Sequence, residues 1–146
     1  MKKVFSIPAG LSMGIAAVMV HQPAQAQTRS CTSLREVSTH QRSIRKVITL
    51  NNTNANTDFA VPTGTRFKSY TAQVTPENNS HYGIEVNLKY NDGSSSKAVS
   101  RSVEAKRFYR YDQSFRTLTN RQPYQINTRI TGDRNTAYQV SVFGCQ

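Results

Sequence analysis

Tyr82-Gly83-Ile84-Glu85-Val86-Asn87-Leu88-Lys89-Tyr90 alternates large apolar residues with glycine, acid, amide and base without a break. Side chains along a strand point to opposite faces at each step, so a period of two marks a strand with one face in a core and one in water. An amphipathic helix spaces its apolar residues alternately by three and four; here every spacing is two. The stretch runs into Asn91-Asp92-Gly93-Ser94, a turn whose glycine can take positive φ. Val99, Arg101 and Val103 then read as the returning strand. Further along, Tyr124, Ile126, Thr128 and Ile130 repeat the period. Thr131-Gly132-Asp133-Arg134-Asn135 follows as a polar turn, and Tyr138, Val140 and Val142 read as the return. The pattern predicts two hairpins.

The remaining segments carry weaker versions of the same signal. Ile44, Val47, Ile48 and Leu50 read as a first strand rich in β-branched residues. Residues 51–58 read as a polar loop of asparagine and threonine. Phe59 and Val61 enter a turn at Pro62-Thr63-Gly64-Thr65, and residues 67–74 are strand-like up to Thr75-Pro76. Phe108, Tyr109, Tyr111 and Phe115 lie in a segment of mixed period. Ser33 and Glu36 have the spacing of a capping box, with Leu34 and Val37 able to share a helical face, so one short N-terminal helix is allowed. Many short strands joined by Gly and Asn turns give an all-β fold, a small antiparallel β-sandwich or jelly roll. Strand order stays open at this stage.

The ends of the chain bear on compartment. Lys2 and Lys3 precede an uncharged run over residues 4–20, and Ala24 and Ala26 fit the small-residue cleavage pattern of an export signal of bacterial type. The run is shorter than the roughly 20 apolar residues of a spanning helix and is broken by Ser6, Pro8, Gly10, Ser12 and Gly14. Residues 1–26 are therefore expected to be a cleaved signal peptide and residues 27–146 one disulfide-closed β domain, secreted or periplasmic. Removing Lys2 and Lys3 lowers the formal charge from +11 to +9. Cys31 and Cys145 are the only cysteines. In an oxidising compartment such a pair bridges, joining the first and last ordered segments; two thiols or an intermolecular bridge are the alternatives.

Little in the sequence commits to a chemistry. His40 and His81 are the only histidines beyond the leader, no serine sits in a G-x-S-x-G elbow, and His81 reads as a loop histidine. Glu77 with Glu85, and Glu104 with Asp112, are candidate carboxylate pairs whose separation sequence cannot give. Zinc spacing, a calcium loop and a glycine-rich phosphate loop are absent, so no metal or cofactor is implied. Charge among aromatics remains. Between Arg101 and Arg134 eight bases face three acids, and Lys106-Arg107-Phe108-Tyr109-Arg110-Tyr111 interleaves cations with rings.

Lys106, Arg107, Tyr109, Arg110, Tyr111 and Arg116 are the expected ligand-binding residues. Arginine forks grip phosphate, sulfate or carboxylate, and tyrosine rings stack on sugars or bases. A second basic group, Arg35, Arg42, Arg45 and Lys46, lies nearer the N terminus. The reading is a non-enzymatic binding domain for an anionic polysaccharide or envelope polymer, with nucleic acid bound at most non-specifically. The alternative is a structural or protein-interaction accessory domain of a cell-envelope assembly, with a protein partner. A small hydrolase using His81 is a third.

Overall fold

Burial alternates along the longer strands, and the described residues form ten strands in two sheets. The computed structural model describes residues 29–117 and 121–146; the expected leader lies outside them. In chain order the strands are β1 (Cys31–Ser33), β2 (Arg35–Glu36), β3 (Ile44–Val47), β4 (Asn56–Ala60) and β5 (Ser69–Pro76). They continue with β6 (His81–Lys89), β7 (Ser95–Glu104), β8 (Tyr111–Phe115), β9 (Gln125–Gly132) and β10 (Ala137–Cys145). One sheet has the order β1-β10-β5-β8, with β3 sharing the β1 edge of β10; the other has the order β2-β4-β9-β6-β7. Every pairing is antiparallel. The fold is an all-β sandwich.

Residues 82–89 lie in β6, an interior strand between β9 and the edge strand β7. Tyr82, Ile84, Val86 and Leu88 are buried, while Glu85, Asn87 and Lys89 face outward with the polar partners of β7 and β9. Phe59, Ile126 and Ile130 join them from the same sheet, and Tyr70, Ala72, Val74, Tyr138, Val140 and Val142 close the core from the other. Each fully buried aliphatic or aromatic side chain contributes about 1.5–3 kcal/mol, so this core supplies most of the driving force.

Three expectations need correction. The allowed N-terminal helix is absent: the chain passes from β1 in one sheet to β2 in the other, then turns. Leu34 goes into the core, whereas Val37 is 43% exposed, so the two residues that would share a helical face part company. The Glu36 carboxylate accepts from the Ser38 and Thr39 amides at 3.0 and 2.6 Å, capping the turn after it rather than a helix before it. The second hairpin is not a hairpin either. β9 pairs with β4 and β6, β10 with β1, β3 and β5, and residues 133–136 cross from one sheet to the other. Period two says which face of a strand is buried and nothing about its neighbour. Lastly, the polar tract is only partly loop. A 3-10 turn at Leu50–Asn52 gives way to β4, where Thr57 is buried and Asp58 faces Lys89 across the sheet.

The two cysteines join the first and last strands in chain order, β1 and β10, as expected. Cys31 and Cys145 are register partners, with S–S 2.05 Å and Cα–Cα 4.1 Å. The flanking bonds, Leu34 N–H to the Val142 carbonyl and Gln146 N–H to the Ser30 carbonyl, place the cysteines at a non-hydrogen-bonded pair. Such pairs bring facing Cα atoms closest, which suits a bridge between directly opposed residues.

Candidate functional site

Charge on the sandwich is distributed by the acids. All eight acidic residues lie among the described residues; five of them hold lysine or arginine side chains and a sixth, Glu104, holds His81. On the outer face of the β6 sheet Glu85 sits between Lys97 at 2.7 Å and Arg129 at 3.7 Å. The hydrogen-bonded Lys97 ammonium, helped by Arg129, holds the Glu85 carboxyl below the usual range. Asp58 accepts from Lys89 and Asn127 at 3.2 and 2.9 Å. Those three cations are thus shared between two carboxylates. Three of the four N-terminal bases are taken up similarly, Arg42 being the exception: Arg45 pairs with Glu77, Arg35 bonds the His40 carbonyl, and Lys46 bonds the carbonyls of Asn54 and Asn56.

Neither candidate carboxylate pair forms a dyad. Glu77 and Glu85 serve Arg45 and Lys97, while Glu104 and Asp112 serve His81 and Arg110. His81 is the first residue of β6 rather than a loop residue. Its Nδ1 lies 2.6 Å from Glu104 Oε1, both side chains being exposed. Among the described residues no three His, Cys, Asp or Glu side chains come together as a metal site.

The basic aromatic segment is the crossover from β7 in one sheet to β8 in the other. Its backbone is pinned from several sides. Ala105 N–H donates to the Ser80 carbonyl (2.8 Å), Phe108 N–H to the Pro76 carbonyl (2.7 Å) and Tyr109 N–H to the Lys106 carbonyl (3.0 Å). Arg107 N–H donates to Asn79 Oδ1 at 2.8 Å, and Lys106 N–H to the Tyr111 hydroxyl at 3.0 Å. Phe108 adopts φ 62°, a left-handed conformation that costs a bulky residue on the order of 1–3 kcal/mol.

This pinned turn lifts two rings out of the protein: Phe108 is 60% and Tyr109 59% exposed. The Arg107 guanidinium lies 4.7 Å over the Phe108 ring, and Tyr109 packs edge-on to Tyr111 at 5.0 Å. Arg110 is held by Asp112 at 3.0 Å, whereas no carboxylate pairs with Lys106 or Arg107. Lys106, Arg107, Tyr109, Arg110 and Tyr111 therefore share one turn, with Tyr111 as its support.

Arg116 does not belong with them. It follows β8, whose length carries it about 20 Å from Arg110 to the opposite, disulfide-bearing end of the sandwich. There it lines a cleft of about 300 Å³ with Arg66, Phe67, Lys68, Thr117, Arg121 and Gln122. Sequence reading missed Arg66, Lys68 and Gln122. Some fifty residues separate the two segments that meet there, and no local pattern marks either.

No family model matches the chain, and no curated protein matches it in sequence. Among solved structures it is similar to carbohydrate-binding modules of family 29. One superposes with a TM-score of 0.48 at 7% identity, over 79% of this chain and 91% of that one. Another gives 0.46 at 6%, over 80% and 92%. So loose a superposition leaves ligand and site to be argued from this chain's own residues.

Proposed function

We propose that this chain is an exported, non-enzymatic binding domain that recognises an anionic polysaccharide or similar acidic envelope polymer through the 106–111 crossover. One observation carries the reading: two large rings, Phe108 and Tyr109, stand exposed on a turn pinned by five hydrogen bonds, beside the unpaired Lys106 and Arg107. Exposed rings serve as stacking platforms, and unpaired cations on a fixed backbone supply charge without the cost of ordering the loop on binding. The unusual backbone at Phe108 fits a turn shaped to present its side chain. A disulfide joining the first and last strands suits an oxidising compartment.

The test uses the oxidised protein against polygalacturonate, a neutral glucan and duplex DNA across a salt series. The proposal expects binding to polygalacturonate that weakens with salt, no binding to the glucan, and a loss of tenfold or more in the variant carrying K106A, R107A and Y109A. Each cation removed should lower the salt slope on DNA by about 1. Salt-independent binding, or binding unchanged in the triple variant, overturns the assignment.

A further inference from the structure

At the disulfide-bearing end, three arginines and a lysine share one cleft that holds no carboxylate on its walls. Its floor is Phe67, whose ring lies flat over Gly144, so closely that a β-carbon there would come within 2.7 Å of it. Arg66 and Lys68 flank that buried ring. Gln122 ties the opposite wall to it: its Oε1 accepts from Phe67 N–H at 3.0 Å, and its Nε2 donates to the Thr65 carbonyl at 2.7 Å. Arg121 is fixed in direction, its guanidinium 4.5 Å over the Tyr90 ring and 2.8 Å from Asp92. The Ser94 hydroxyl and amide, with Arg121 beyond them, hold the Asp92 carboxyl down to about 2.

Arg66, Lys68 and Arg116 have no acidic partner, although every acid of the chain is among the described residues. Like charges lining one cleft repel, and a multiply charged oxyanion relieves that repulsion while accepting from several N–H donors at once. Arg116 also lines an adjoining hollow on the outer face of the β10 sheet, where Ser69, Thr71 and Ser114 present hydroxyls.

We propose that this cleft binds a phosphate or sulfate ester group, held by Arg66, Lys68 and Arg116, with the Asp92-paired Arg121 as part of its wall and the hydroxyl-lined hollow receiving the carrier of that group. The site stands apart from the 106–111 turn. Its occupancy does not depend on the polymer-binding assignment.

The experiment titrates the oxidised protein by calorimetry with inorganic phosphate, inorganic sulfate, glucose 6-phosphate, glucose 6-sulfate and glucose. Wild type, R66A, R116A and R134A are compared, each with its fold checked by circular dichroism. Binding of the anions but not of glucose, weakened tenfold or more by R66A and R116A and unchanged by R134A, whose arginine belongs to neither site, is the expected result. Tighter binding of the esters than of the inorganic ions assigns the carrier to the hollow; equal binding confines recognition to the oxyanion, and either supports the cleft. No anion binding at millimolar concentrations, or binding indifferent to R66A and R116A, overturns the proposal.

Discussion

Replacing both Cys31 and Cys145 by serine tests how much of this fold's stability resides in its closure. The bridge spans a sequence separation of 114 residues, nearly the whole domain. In the chain-entropy description, constraining a loop of that length removes about 4.8 kcal/mol of freedom from the unfolded state. The loss matters against the roughly 5–15 kcal/mol typical of a native domain. The folded side changes little, because β1 keeps its ladder with β10 and Leu34 remains buried between the sheets. Urea unfolding should be followed by far-ultraviolet circular dichroism or tyrosine fluorescence, since the chain has no tryptophan. The midpoint should fall strongly and the slope rise, the uncrosslinked unfolded chain exposing more surface. A cost below about 1 kcal/mol with an unchanged slope would refute the closure argument and place the stability in the sheets alone.

Gly144→Ala drives a methyl into the Phe67 ring and should cost about 1–3 kcal/mol in the same unfolding assay; a neutral result would mean the cleft floor moves freely. Phe108→Gly removes a left-handed phenylalanine, so strain relief offsets added unfolded-state entropy; stability should stay within about 1 kcal/mol while polymer affinity falls. A large loss of stability would make that ring structural. Burial pushes the Tyr70 and Tyr138 phenols up to about 12 from an ordinary value near 10. The native state then holds protons that the unfolded state has released. Their contribution, roughly 2–3 kcal/mol each, is complete below pH 10 and lost as pH rises through 12. Absorbance at 295 nm should show these two rings ionising near pH 12 rather than near 10. Their ionisation in folded protein near pH 10 would contradict the burial.

Some of this molecule is written locally. The alternation in residues 82–90 determines β6 and its buried face, because strand side chains alternate wherever the strand lies. The cysteine count determines the bridge partners, and the 106–111 run announces a concentration of cations and rings. What lies next to what is decided only by tertiary structure. Tyr124 to Val142 reads as one hairpin yet supplies strands to different sheets, since period two is blind to neighbours. Ser33 and Glu36 have helical spacing, but burying Leu34 between the sheets outweighs a weak local preference. Arg116 sits six residues beyond Arg110 in the chain and at the far end of the sandwich in space, where Arg66 and Lys68 meet it. An extended strand separates residues that sequence places together, and antiparallel pairing unites those it holds apart.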